Sequence, residues 1–226
     1  LKSSFNLKLN SQCNKKNSVF YFDMSNTQES HFPKLNKKLR WSVSKSEKEN
    51  TFKLDDSVEN FYKCYSKSML RLGSPVEPLK FFLNIKKILG INVHFSSAYV
   101  GNEISAVGMF ILDKKYIRYE RGANNFNLRN YESTTFLVWN IAKHYNGRDF
   151  HYVDLGKSEK GTGSYKFKRK WSSSTDLYYY FVSNQGSIPN FGMSNYKRMI
   201  FAKLWRNLPI SLANKIGPLI RKFLTS

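Results

Sequence analysis

Cysteine is nearly absent: Cys13 and Cys64, in unrelated contexts, are the only two in 226 residues. That scarcity excludes a disulfide framework, so a reducing compartment and hence a cytoplasmic protein are expected. The four histidines, His31, His94, His144 and His151, show no metal-ligand spacing and have no cysteine cluster beside them, so the residues argue for no metal site. Acidic side chains are also few, 16 Asp and Glu against 37 Lys and Arg, for a net charge of +21. Nucleic acid, acidic lipid head groups and phosphate-bearing substrates all suit that balance, and charge alone does not choose among them. A Lys- and Asn-rich genome that uses lysine as a solubilising residue would produce the same excess. Long apolar runs are missing as well, none approaching the roughly 20 residues that span a bilayer. The chain starts at Leu1 with neither a signal peptide nor a Met, which suggests an internal or truncated piece.

What is present is a folding composition, 41% hydrophobic and 16% aromatic, enough for one substantial core. Residues 18–24 form a strand-like run that reads as the tail of something before it. From Ser25 the chain turns helical and basic through Arg40, Trp41 and Lys45, and a short strand is expected over 51–54. Asp55 or Asp56 is placed to cap a second helix, whose Val58, Phe61, Tyr62, Tyr65, Met69 and Leu72 recur at three and four and mark one buried face. Gly73-Ser74-Pro75 stops it, and a short third helix is predicted over 78–89. Strands over 92–100, 103–112 and 116–121 follow, the first two joined by Gly101-Asn102, a two-residue hairpin signal that predicts an antiparallel meander. A helix over 129–145, a buried strand over 150–155, a helical stretch over 161–171 and a last strand over 177–182 complete a mixed α/β order.

Beyond residue 188 a basic amphipathic tail begins, broken by Pro209 and Gly217-Pro218. Residues 196–226 suit either peripheral contact with an anionic membrane, at its inner face, or a helical hairpin packed back on the domain. Several nucleotide and hydrolase signatures are excluded. Gly156-Lys157-Ser158 lacks the earlier P-loop glycine because position 151 is His, and neither a Gly-x-Ser-x-Gly elbow nor a HExxH run occurs.

The informative stretch runs from Asp154 to Trp171. A buried strand brings Asp154 and Gly156 to its end, and Gly161 and Gly163 then let the amides of the next helix face an anion. Lys166, Lys168, Arg169 and Lys170 surround that spot with positive charge. On these residues alone the stretch reads either as a phosphate or carboxylate cradle or as a solvated basic helix behind a flexible loop.

This stretch resembles the motif of FemAB-related proteins found with exopolysaccharide and protein-sorting loci, an Asp-Gly-Arg-Ser run followed by a Gly-rich turn and Tyr-Arg-Phe-Lys. Residues 37–46, 61–75 and 205–218 resemble the same group, in the same order. The resemblance implies an α/β (α+β) fold of the GNAT-like N-acyltransferase kind, a mixed, mostly antiparallel sheet flanked by helices, with a C-terminal helical tail. It implies a remnant of a first GNAT-like domain over 1–24, an acyltransferase domain over 25–187, the tail over 188–226, and a missing N-terminal domain. The implied activity is transfer of an acyl or aminoacyl group to an amine of a cell-envelope precursor or glycolipid. Acyl-CoA or aminoacyl-tRNA would be the co-substrate, with no tightly bound cofactor.

The pair Phe167-Lys168 matches the family's pair beside the reacting ester, and Lys168 is expected to stabilise negative charge on the carbonyl oxygen. Asp154 is expected either to take the amine proton or to fix the glycine turn. Arg40 and Lys45 would hold phosphates of a nucleotide- or lipid-linked sugar, with Gly161, Gly163, Tyr165 and Arg169 completing the substrate site. Two departures stand out: Lys157 replaces the usual Arg, and residues 121–127 lack the Gly-rich pyrophosphate signature of acyl-CoA enzymes. A binding module for an anionic glycolipid or tRNA, without turnover, and a sequence-tolerant nucleic-acid binder are the competing readings.

Overall fold

The computed structural model describes residues 17–27, 32–171, 175–178 and 195–224. In chain order these form β1 (Asn17–Asp23), α1 (Lys37–Glu49), β2 (Thr51–Lys53), α2 (Val58–Leu72), α3 (Leu79–Leu89), β3 (Val93–Val100), β4 (Glu103–Asp113) and β5 (Tyr116–Asn124). Then come α4 (Ser133–Tyr145), β6 (Tyr152–Glu159), α5 (Gly163–Arg169), β7 (Thr175–Tyr178), α6 (Asn195–Arg206) and α7 (Ile210–Leu224). The strands make one sheet in the order β2-β3-β4-β5-β6-β1-β7. Among the described residues only the β5–β6 pair is parallel, joined by a crossover through α4. The mixed, mostly antiparallel sheet flanked by helices is the expected fold class.

The β3–β4–β5 meander forms as its turns dictate. Gly101 takes φ +58°, and Lys114 takes φ +53° at the second turn, a left-handed conformation that a lysine adopts only at some cost. The strand-like run at 18–24 belongs to this sheet, where β1 fills the gap between β6 and β7. Its alternation explains why: Phe20 and Phe22 are fully buried, and Phe22 meets Trp171 edge to face at 4.9 Å. Burying such a ring contributes about 2–3 kcal/mol, which ties the strand to this core.

Two helix starts also differ from expectation. The segment after Ser25 opens with 3-10 turns over Met24–Thr27 and Phe32–Lys34, and α1 begins only at Lys37, where the Asn36 side chain accepts from Lys38 N. α2 is capped by Ser57, which accepts from Asn60 N, and not by Asp55 or Asp56. Asp56 is occupied otherwise. Its carboxylate accepts from Lys53 Nζ at 2.9 Å, Ser57 N at 2.7 Å and Asn60 Nδ2 at 3.1 Å, and from Tyr99 Oη. Burial alone would raise this carboxyl, but the bonds from Tyr99, Lys53 and Ser57 outweigh it and hold it well below the usual carboxylate range.

The sheet separates two apolar layers. On one face α1, α4 and α5 cover Phe110, Ile117, Val153 and Leu155. On the other, α2 and α3 cover Phe95, Val107, Met109 and Ala123, with Phe61 stacked on Tyr65 at 5.3 Å.

The tail packs back on α2. Trp205 and Ala213 are buried, Arg221 Nη1 donates to Pro75 O at 2.8 Å, and a second guanidinium nitrogen pairs with Glu77 at 2.9 Å. Gly73 ends α2 at φ +77°, and a Cβ there would stand 2.5 Å from Ala202 Cβ. Gly73→Ala therefore meets both left-handed strain and α6 itself. We expect a loss of about 1–2 kcal/mol together with faster amide exchange in α6, read by hydrogen–deuterium exchange mass spectrometry; exchange confined to α2 would contradict this docking.

Candidate functional site

β5 and β6 pair only at Tyr116–Tyr152, Ile117–Val153 and Arg118–Asp154. Beyond that point β5 stays with β4 up to Asn124, and β6 stays with β1 up to Glu159, so the two parallel strands part and a wedge opens between them. A parting of parallel strands leaves backbone and side chains facing a crevice at their C-terminal ends, the usual place for a ligand in such sheets.

The sequence placed Asp154 and Gly156 at the end of a strand, but the strand runs on to Glu159. Gly156 instead occupies an irregularity in the β1–β6 register, where Phe20 faces Gly156 and Tyr21 faces Asp154, leaving Leu155 as the extra residue. Its φ of +69° is what a glycine supplies at such a bulge. Asp154 is built into this feature: Oδ1 accepts from Gly156 N at 2.7 Å, and Oδ2 lies 3.8 Å from Arg118 Nε.

Lys168 reaches the same bulge. Its Nζ donates to Lys157 O at 3.0 Å and stands 3.8 Å from the position a Cβ on Gly156 would take. The ammonium is thus seated on β6 past the point where β5 leaves it. Burial lowers its pKa from the ordinary lysine value, and the nearby Asp154 carboxylate opposes the shift. α5 is held to β6 by the Ser158 Oγ to Ser164 Oγ contact of 2.8 Å, which fixes the base from which Lys168 extends.

The neighbours of Lys168 in sequence divide by helix face. Tyr165 packs edge to face on Phe20 at 5.3 Å and Phe167 on Trp171 at 6.2 Å. Both rings lean on the core, whereas Lys168, the other member of the pair Phe167-Lys168, turns to the bulge. Arg169 is exposed on the outside of α5, and Lys170 faces Glu132 at 3.8 Å.

Gly161 and Gly163 border open space, Gly161 with φ +92°. The amides they were expected to free are partly engaged, since Tyr165 N donates to Thr162 Oγ1 and Lys166 N to Thr162 O. Arg40 does not present a free fork: its Nη1 donates to Leu35 O at 2.9 Å and to Pro33 O, closing the 3-10 turn before α1. Lys45 lies over the exposed Trp41 ring at 5.0 Å. Both occupy α1, away from the β6 bulge in sequence, Arg40 engaged with the turn before that helix and Lys45 with a ring on it.

A groove of about 660 Å³ that sequence reasoning missed opens against α2. Lys63, Lys67 and Arg71 line it at i, i+4 and i+8, one helical face. Among the described residues no carboxylate pairs with any of the three. Like charges at this spacing cost a helix about 0.2–0.5 kcal/mol per pair. The spacing stands in the sequence, on the face of α2 opposite the apolar one. Among the described residues there is no cluster of His, Cys, Asp or Glu that could hold a metal ion, and no helix is long and apolar enough to cross a membrane.

No family model matches the chain, and no curated protein does. Solved structures do. FemX superposes with a TM-score of 0.62 at 11% identity, over 71% of this chain and 59% of its own. The C-terminal domain (DUF2156) assigned to a lysylphosphatidylglycerol synthetase of Agrobacterium fabrum gives 0.53 at 13%, over 71% of this chain and 57% of its own. The L-PGS structure from Bacillus licheniformis gives 0.51 at 11%, over 86% and 68%. The chain thus spans under two thirds of the length of the first two. At these identities the likeness is one of fold: the chain shares the fold of FemX and of these two synthetase structures.

Proposed function

We propose that the chain transfers an acyl or aminoacyl group to an amine, with Lys168 as the group that acts on the reacting carbonyl. The observation that carries this reading is the Lys168 ammonium seated at the β6 bulge, beside the wedge where β5 and β6 part. When an amine attacks an ester or thioester, negative charge gathers on the carbonyl oxygen. A fixed ammonium stabilises that charge more than it stabilises the neutral ground state. The half-buried setting strengthens the effect because water screens it less. Asp154, fixed by Gly156 N, holds the bulge, and its proximity opposes the lowering of the Lys168 pKa by burial.

Aminoacyl-tRNA and acyl-CoA are both donors compatible with this chemistry, and an amine on a cell-envelope sugar lipid is the proposed acceptor. The folds of FemX and of the two lysylphosphatidylglycerol-synthetase structures support the donor class in which an activated carboxyl is handed to another molecule. The test is mass spectrometry of acceptor lipids after incubation with each donor. Product that depends on Lys168 supports the reading; product formed equally by Lys168→Ala removes Lys168 from the chemistry.

We also propose that the outward face of the tail meets an anionic membrane that carries the acceptor. Met199, Leu204 and Leu219 are 63%, 66% and 66% exposed, among a run of lysines and arginines. Leu204→Glu with Leu219→Glu leaves the α2-facing side untouched. This pair is expected to reduce co-sedimentation with vesicles rich in phosphatidylglycerol, and unchanged sedimentation would reject the contact.

A further inference from the structure

α3 departs from the usual division of a surface helix into a buried apolar side and an exposed polar one. Phe82 alone is fully buried, against Phe61 and Phe95, and Ile85 and Leu89 are partly buried beside it. Phe81 is 41% exposed and Ile88 79%. With Ile85 between them they fall at i, i+4 and i+7, along one flank of the helix. Gly90 ends α3 at φ +54°, and in the 3-10 turn Gly90–Asn92 that follows, Ile91 is 84% exposed. Scattered apolar side chains on a surface are ordinary, but a stripe that runs along a helix and past its end marks a contact.

The charge beside the stripe is of one sign. Lys80, Asn84 and Lys87, each one residue before a member of the stripe, are exposed in a parallel row about 100° round the helix. No Asp or Glu occurs between Glu77 and Glu103. Asp55, just before α2, is taken by Lys86 at 2.7 Å, and Glu77 by Arg221 at 2.9 Å. Among the described residues no carboxylate pairs with Lys80 or Lys87.

Three coverings compete for such a stripe. A second copy would bring its own +21 to the contact, so charge opposes it. A folded partner needs about 20–30 residues a side, more than a few apolar side chains edged by lysines provide. A lipid interface takes apolar side chains one at a time, and lysines at the margin reach back along their alkyl stems to the head groups. Anionic head groups are the match for a basic row free of acids.

We infer that α3 and the turn after it form a membrane-contact element, with Phe81, Ile88 and Ile91 entering the interface of an anionic bilayer and Lys80 and Lys87 on its phosphates. α6 and α7 pack on α2, on the side of the sheet that α3 covers. Joining this element and the tail into one membrane-facing surface rests on the tail contact proposed above, whereas the contact made by α3 does not.

The test is partition of the whole chain onto vesicles of phosphatidylcholine alone and of equal parts phosphatidylcholine and phosphatidylglycerol. Binding to the mixed vesicles is expected, about tenfold or more above that to phosphatidylcholine. Ile88→Glu with Ile91→Glu, at positions that folding leaves exposed, should lower the mixed-vesicle partition about tenfold or more and leave urea unfolding unchanged. Lys80→Gln with Lys87→Gln should lower it about tenfold. An environment-sensitive fluorophore attached through Ile91→Cys, with Cys13→Ser and with Cys64 buried, should shift to the blue on the mixed vesicles. Unchanged partition of the isoleucine pair, indifference to the lysine pair, equal binding to both vesicles, or a fluorophore that stays in water on bound protein would each overturn the element. A wild type that sediments as a dimer, with the isoleucine pair a monomer, would overturn it too, because the stripe would then join two copies. Partition lost in Leu204→Glu with Leu219→Glu but kept in the isoleucine pair would reject α3 and spare the tail contact; the reverse would reject the tail contact and support α3.

Discussion

Lys168→Ala is expected to lower the rate of acyl transfer about 100-fold, the scale on which removing one preorganised charge-stabilising donor acts. The folded state should barely notice, because the side chain makes a single hydrogen bond, to Lys157 O. Equilibrium urea unfolding of the variant should therefore overlay the wild type while turnover collapses. Lys168→Arg keeps a charge but carries a planar, larger head, and Gly156 leaves only a narrow seat. It should recover part of the rate without restoring it. A rate loss matched by a loss of stability would make Lys168 a structural residue instead.

Asp56→Asn is expected to cost about 3 kcal/mol in urea unfolding. Asp56 is fully buried as a side chain and gathers β2, the start of α2 and β3 through Lys53, Asn60 and Tyr99. An asparagine keeps the shape but loses the charge that those donors face. The pH dependence follows from the direction of the shift. The folded carboxyl titrates below its unfolded value of 3.8, so its stabilisation is complete above that value and disappears as pH falls toward the lower folded one. The wild type should lose stability steeply in acid, and Asp56→Asn should show a flatter acid limb. The variant should also loosen the groove, because Asn60 and Tyr99 lose the anchor they share.

Much of the fold was legible because local signals agreed with one another. The spacing of Val58, Phe61 and Tyr65 gave α2 its buried face, and Gly101-Asn102 gave the hairpin. The place of β1 was hidden because alternation tells which face of a strand is buried, never which strand is its neighbour. Phe20 and Phe22 alternate as one face of a strand does, but their ring partners, Tyr165 for Phe20 and Trp139 and Trp171 for Phe22, lie more than a hundred residues away. Gly156 was read as a stop since glycine ends strands more often than it bulges them, and only pairing with β1 separates the two. The same limit applies to the site. Lys168, Gly156 and Asp154, named together from the sequence as candidates, are neighbours at the bulge. Tyr165 and Phe167 belong to the core face of α5, and Arg40 is spent on carbonyls five and seven residues upstream. Those outcomes depend on helix phase and a 3-10 turn that the basic composition of 25–45 did not disclose. The final strand expected over 177–182 begins at Thr175, and its residues past Tyr178 lie outside the described ones.

The alkaline limb of kcat/KM, measured in the wild type and in Lys168→Arg, bears most directly on the proposed chemistry. Charge on Lys168 is what the reacting oxygen would need, and burial lowers the pH at which that charge is lost. The wild-type rate should fall at a pH below the 10.5 of an ordinary lysine, and the limb should vanish in Lys168→Arg, whose guanidinium stays charged throughout. An identical limb in both proteins would show that the ammonium at the β6 bulge takes no part in the transfer.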